Sequence, residues 1–210
     1  MDATLNQTLP PHSSRISFVL VRPSHPGNIG AAARAIKTMG FTDLRVVAPV
    51  DPEYRTNPDA VAFSTSSVDV LKHSRDYPSL EAALTDVALP FAMTGYSRRF
   101  GPALETMRQS ADRAGLWAEE NKGPGIAFVF GCERSGLTNE EVGLCRFATA
   151  IPANPLSQSL NLAQAVQIAA YEMHMALLQR AHAAGLYGWQ QRFEQDPAAS
   201  AAAVEGLMRH

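Results

Sequence analysis

The chain has 210 residues, 46% of them hydrophobic, enough for one domain with a substantial core and a short appendage. Eighteen Lys and Arg against twenty Asp and Glu give a formal net charge of −2, which excludes nucleic-acid binding through overall positive charge; any such contact must use a local patch. Cys132 and Cys145 have neither metal-motif nor redox-motif spacing, no apolar run approaches membrane-spanning length and the N-terminus lacks the apolar stretch of a secretory leader, so a reducing cytoplasm is the expected compartment.

Residues 1–14 are polar, include Pro10-Pro11 and read as a loose tail. Ile16 to Val21 is a β-rich apolar run, expected to be a buried strand. Arg22 to Asn28 breaks it, and a helix is expected from Ile29 to Met39, with Asn28 as N-cap and Gly40 just past its end. Ile29, Ala32 or Ala33, Ile36 and Met39 share one stripe, while Gly30, Arg34 and Lys37 fall away from it. Leu44 to Ala48 is a second strand, stopped by Pro49 and Pro52, so the segment reads as a βαβ unit with a parallel pair. Asp59 to Leu71 reads as short helical pieces, and Ser79 to Leu84 as a short helix capped by Ser79.

Ala88 to Thr94 is a strand whose Pro90 suggests a sheet edge or a strand start. A loop follows to Pro102, and Leu104 to Asn121 is expected to be helical. Gly125 to Gly131 is the clearest strand, followed by the polar loop Cys132 to Leu137. Thr138-Asn139-Glu140-Glu141 fits a capping box for a short helix to Leu144. Phe147 to Ile151 is the last strand. A loop with two prolines and two serines hands over to a long helix from Leu160 to Ala184, with Ser157 or Ser159 as its cap. Residues 15–181 are therefore expected to form the main domain, and 182–210 a linker and the start of a helical extension cut off at His210.

Four strand ends, after Val21, Thr94, Phe130 and Ile151, each run into a polar loop bearing Gly or Pro. In a mainly parallel sheet such loops gather at the carboxyl edge, where ligands bind. No Gly-x-Gly-x-x-Gly follows the first strand, and no phosphate-binding loop, nucleophile elbow or metal-ligand spacing occurs, which counts against an ordinary dinucleotide site, an NTPase, a serine hydrolase and a metal centre.

Three segments carry a more specific signal. In Pro23-Ser24-His25-Pro26-Gly27-Asn28-Ile29-Gly30-Ala31-Ala32-Ala33-Arg34-Ala35, an Asn-x-Gly and an Arg four residues on open the first helix. Phe128 to Leu137 joins a strand end to Gly131 and Glu133, and Asn154-Pro155 with Ser159-Leu160-Asn161 fills the last strand-to-helix link. In this order and spacing they resemble the three motifs of the SpoU branch of the SPOUT RNA methyltransferases, over residues from Ile16 to Gln179. The run Leu137-Thr138-Asn139-Glu140-Glu141 points further, to members that methylate the ribose 2′-oxygen of tRNA nucleotide 32, on cytidine or uridine in the anticodon loop.

The resemblance implies an α/β fold with a mainly parallel sheet, flanking helices and a C-terminal trefoil knot. It implies a homodimer, S-adenosyl-L-methionine as methyl donor, no metal, tRNA as partner through its anticodon stem-loop, and neither DNA nor membrane. Carried over by position, the cofactor contacts fall on Thr94, Gly95, Tyr96, Gly131, Ile151, Gln158, Ser159 and Leu160. Gly95-Tyr96 stands where the family has Ser-Ala, and Gln158 where it has Ser. A Cβ at Gly131 is expected to block close approach of the cofactor.

The implied catalytic residues are Arg34, Asn28, Glu133, Ser159 and Asn161. A guanidinium does not readily deprotonate, so Arg34 is read as holding the 2′-hydroxyl and its neighbouring phosphate rather than as a base. Asn28 orients the ribose or merely caps its helix; Glu133 fixes Arg34 or a nearby arginine, or forms a surface ion pair; Ser159 and Asn161 arrange the third loop or cap the long helix. Arg22, His25, Lys37, Arg98, Arg99 and Arg134 are candidates for a local phosphate track. The first and last helices carry apolar stripes fit to pack across a two-fold. Methylation of another RNA, and a non-catalytic RNA-binding module on the same fold, remain as alternatives.

Overall fold

A computed structural model of the protein describes residues 12–95, 101–121 and 123–180. The expectations for the N-terminal tail up to residue 11, for Tyr96, Arg98 and Arg99, and for everything past 180 lie outside these residues. Seven strands form one sheet: β1 (Ile16–Val21), β2 (Asp43–Val47), β3 (Arg75–Tyr77), β4 (Val87–Met93), β5 (Leu104–Thr106), β6 (Gly125–Phe130) and β7 (Phe147–Ala150). Their order is β3-β2-β1-β6-β4-β7-β5, and every pair is parallel. The helices are α1 (Pro26–Thr38), α2 (Pro58–Ser64), α3 (Val68–Lys72), α4 (Leu80–Ala83), α5 (Met107–Glu120), α6 (Asn139–Gly143) and α7 (Leu162–Arg180).

Alternation along the strands divides the core in two. Phe18, Phe128 and Phe91 from adjacent strands line one face, with ring centroids 5.9 Å and 5.2 Å apart, and Phe147 continues the row at 5.5 Å from Phe91. Helices α1, α5 and α7 bury their apolar sides in this core. The opposite face carries smaller residues, Val19, Val21, Ala92, Ala127 and Val129, covered by Leu80 and Ala83 of α4 and by Leu137 and Val142. Ile29 and Ile36 of α1, and Val166, Ala170, Met173 and Leu177 of α7, all belong to the first core, where α1 and α7 touch. The stripes expected to meet across a two-fold are thus consumed inside the chain.

Several local expectations change. Helix α1 begins at Pro26, with His25 at the N-cap, so Asn28 lies inside the first turn and does not cap it. Proline opens a helix readily because the N–H it lacks would go unpaired there. Gly30 does not fall away from the packed side: a Cβ added there would lie 2.0 Å from the Ala60 carbonyl oxygen, so glycine lets α2 sit directly on α1. Gly40, at φ 83°, ends the helix as expected.

Strands β3 and β5 were not expected; at three residues each they are too short for a period of two to show. The helix read from Leu104 starts only at Met107, because Thr106 and Gln109 form a capping box. Pro90 lies in an interior strand between β6 and β7, not at an edge. Its carbonyl accepts from the Arg146 N–H at 2.9 Å and the β4–β7 register begins one residue later, so the donor it lacks falls where that ladder starts. Neither Ser157 nor Ser159 caps α7; the Asn161 Oδ1 does, accepting from Ala163 N–H at 2.9 Å and Gln164 N–H at 3.3 Å.

Candidate active site

The ends of β4, β6 and β7 and the segment before α7 enclose a cavity of about 450 Å³ at the carboxyl edge of the sheet. Thr94, Gly95, Gly131, Ile151, Gln158, Ser159 and Leu160, scattered over 67 residue positions in the chain, all line it. Of the eight positions expected to hold a cofactor, only Tyr96 is missing from this wall, being outside the described residues. Leu137, Phe130 and Leu162 add apolar surface beyond the expected cofactor contacts. Ser159 and Leu160 have no hydrogen-bond partner among the described residues, which leaves backbone donors and acceptors at the cavity. A volume in the usual range for small-molecule sites, apolar walls and open backbone groups together fit an adenosyl cofactor.

Gly131 is required by the chain's own packing. An added Cβ would lie 2.0 Å from the Gly136 carbonyl carbon and 2.2 Å from the Leu137 nitrogen. The loop folds back over the strand end: Gly136, at φ 66°, donates its N–H to the Cys132 carbonyl at 2.9 Å. The close approach is by the chain's own backbone, and it is this return that shapes the cavity wall.

Beside the cavity, three motifs meet through side chains. The Glu133 Oε2 accepts from the Ser24 N–H at 2.9 Å and the Ser24 hydroxyl at 2.8 Å. Its Oε1 accepts from the Asn28 side-chain amide at 2.8 Å and the His25 N–H at 3.3 Å. The Asn28 Oδ1 in turn accepts from the Asn161 Nδ2 at 3.0 Å. Burial would raise the Glu133 carboxyl, but the bonds from Asn28, from Ser24 and from its own N–H outweigh it and hold it at about 2. Glu133 is therefore a fixed anion whose acceptor capacity is taken up, not a group poised to exchange protons.

Asn28, Glu133 and Asn161 thus come together as the motifs suggested, with Ser159 on the adjoining wall. Among the described residues no arginine bonds to Glu133: its partners are Ser24, His25 and Asn28. Arg34 is exposed, does not line the cavity and has no side-chain partner among the described residues. The phosphate track also thins out. Arg22 is bound by Glu141, and Lys37 by Asp69 and the Ser66 carbonyl. Arg134 is exposed on the cavity wall without a partner among the described residues, and His25 is exposed at the start of α1. Ser24 was missed as a site residue, although it stands inside the first motif, because its partner lies 109 positions away. Cys132 also lines the cavity; burial opposes its ionisation, but bonds from the Ser135 hydroxyl and the Ser135 and Arg134 N–H groups hold the thiol below its ordinary range. Among the described residues, no three His, Cys, Asp or Glu side chains cluster to hold a metal, and no helix is long and apolar enough to cross a membrane.

The wholly parallel sheet with its flanking helices, and the cavity that gathers the ends of β4, β6 and β7 under the segment leading into the last helix, match the SPOUT class of methyltransferase structures. Within that class the chain belongs to the SpoU rRNA methylase family, whose model matches residues 15–171. It is 42% identical over 169 residues to the tRNA (cytidine/uridine-2′-O-)-methyltransferase TrmJ of Yersinia enterocolitica, covering 80% of this chain and 63% of that protein. Among solved structures, a probable methyltransferase from Bordetella pertussis Tohama I superposes with a TM-score of 0.76 at 46% identity, covering 80% of this chain and 98% of that one. TrmJ from Z. mobilis ZM4 gives 0.69 at 39% identity, covering 75% and 67%. The match to the Yersinia relative thus spans less than two thirds of that relative's length.

Proposed function

We propose that this protein is an S-adenosyl-L-methionine-dependent tRNA 2′-O-methyltransferase acting in the cytoplasm on the ribose of nucleotide 32, cytidine or uridine, in the anticodon loop. The observation that carries the reading is the convergence of Gly131, Ile151 and Leu160 on one cavity, with Asn28, Glu133 and Asn161 joined beside it. The likeness to TrmJ supports tRNA as the partner and ribose oxygen as the acceptor. Residues 15–181 are the methyltransferase domain in this reading, with 182–210 leading into a helical extension. The C-terminal segment is read as threaded into a trefoil knot: β7 lies beyond β4 from β6, yet residues 158–162 return to the wall formed by Gly131 and Leu137.

When bound, the cofactor supplies a methyl group already activated on a sulfonium. The chain must then orient the ribose oxygen, steer its proton away and exclude water. Ile151, Leu160 and Leu137 supply apolar walls, and the open backbone groups of Ser159 and Leu160 serve to read a purine edge. The Asn28 and Asn161 amides orient the acceptor side. Arg34 would hold the 2′-hydroxyl and the adjacent phosphate; the guanidinium does not itself take the proton, which would pass by way of that phosphate to water. Because Arg34 stands away from its own cavity, the reading requires a homodimer in which Arg34 of one copy serves the cavity of the other. The exposed Leu156, Leu160 and Tyr171 near α7 offer apolar surface for that contact, since the inner stripes are already used. Among the described residues, Arg134 is the cavity-wall cation left to meet RNA phosphate.

Incubation with labelled cofactor and unmodified tRNA, followed by mapping of the methylated nucleotide, tests the proposal. Transfer to nucleotide 32 in the wild type and its loss, by at least about a hundredfold, in Arg34→Ala is the expected result. Transfer elsewhere reassigns the substrate, activity surviving in Arg34→Ala removes the role given to that arginine, and no affinity for cofactor or its demethylated product leaves a non-catalytic module.

A further inference from the structure

We propose that Ser24 is a positioning residue: with its hydroxyl and its N–H it fixes the plane of the Glu133 carboxylate, and through that carboxylate it holds the Asn28–Asn161 amide chain in place beside the cavity. The inference rests on reading the cavity as a methyl-transfer site.

The two ends of an asparagine amide are nearly the same size, and neighbours decide which way it points. An ionised carboxylate only accepts, so the Asn28 Nδ2 must face Glu133, at 2.8 Å. Its Oδ1 must then face Asn161, and accepts from Nδ2 there at 3.0 Å. The Asn161 Oδ1 is left toward α7, where it accepts from two backbone N–H groups. The direction of the whole chain follows from one charge. Ser24 places both its donors on Oε2, at 2.8 Å and 2.9 Å, which holds the carboxylate plane and leaves Oε1 for Asn28.

Ser24 is itself braced. Arg22, two residues before it and at φ 49°, gives its N–H to the Val47 carbonyl at 2.8 Å and its guanidinium to Glu141. The Pro23 carbonyl accepts from the Val50 N–H at 3.2 Å, and Pro26 opens α1 two residues after Ser24. The serine is thus delivered to Glu133 by a loop tied at both ends, and the low titration of Glu133 agrees with a carboxylate so held.

The test compares Ser24→Ala and Ser24→Thr in the full chain. Carbon-13 NMR titration of the Glu133 carboxyl, without cofactor, is expected to move upward in the alanine variant and to return to the wild-type value in the threonine variant. With cofactor and tRNA, Ser24→Ala is expected to lower kcat about tenfold, with KM for tRNA and affinity for S-adenosylhomocysteine within about twofold, and Thr is expected to restore kcat. An unmoved Glu133 titration, an unchanged kcat, or a loss that Thr does not rescue overturns the proposal. If the wild type transfers no methyl to any RNA, it is the functional reading that fails, and the NMR arm still decides whether Ser24 governs Glu133.

Discussion

The two sides of the cavity are built on different principles. On one, the loops after β1 and β6 are tied to each other: Glu133 receives four hydrogen bonds, Arg22 is held by Glu141, and Gly131 lies under the returning Gly136 and Leu137. On the other, residues 152–160 are all exposed, and Leu156 is 93% accessible. Their order comes from a turn at Asn154, whose Oδ1 and carbonyl accept from the Leu156 and Ser157 N–H groups at 3.0 Å and 2.8 Å. One wall is set before any ligand arrives; the other presents unpaired backbone and apolar side chains for a ligand or a partner to complete. Asn161 is where the two sides are joined.

The sharpest way to break this contrast is Gly131→Ala. Its methyl group would meet backbone rather than a yielding side-chain tip, so the variant is expected to lose about 3 kcal/mol or more of stability, with binding of S-adenosylhomocysteine abolished. Thermal melting and calorimetry measure both, and wild-type values would mean that the tied wall is in fact pliable.

A middling effect is expected from acid. The Glu133 carboxyl titrates at about 2 in the folded chain, against about 4.3 for an ordinary glutamate. The folded value is the lower one, so the stability it contributes is complete above about pH 4.3 and drains away as pH falls through about 2. Part solvation reduces that contribution to about 1–2 kcal/mol. Denaturant melts between pH 6 and 2.5 should therefore show a steeper loss in the wild type than in Glu133→Gln, and parallel curves would deny the carboxylate its special hold. The smallest effect on the single folded chain belongs to the open side: under conditions that keep the protein monomeric, Leu156→Ser is expected to change stability by less than about 0.5 kcal/mol, because within one chain that side chain meets only solvent. A larger drop in the isolated chain, measured by the same melts, would show that this loop is packed after all.

What the sequence displayed and what it hid follow from range. The βαβ opening, the capping box at Thr138 and the strand-loop-helix around Ile151 are local patterns, and each formed as read. The three motifs named the cavity wall because their residue types were specific in combination. Hidden were contacts between distant segments: Gly30 against Ala60, Ser24 against Glu133, and Pro90 between two strands rather than at a margin. From the sequence, Glu133 reads as the partner of an arginine, because opposite charge is the obvious match for a carboxylate. Neutral donors from a nearby loop satisfied it instead. Strands β3 and β5 escaped because three residues complete no recognisable alternation.

Asn161 carries a consequence for which substitutions the chain can tolerate. Aspartate caps a helix about as well as asparagine does. At this position it would keep the bonds to α7 but bring no hydrogen for the oxygen of Asn28, and turning Asn28 over would set that oxygen against a negative neighbour. Serine and threonine, the other usual caps, are too short to serve both partners. Of the whole set of helix-starting residues, a single letter of the alphabet is therefore spelled out here by chemistry on the far side of the fold.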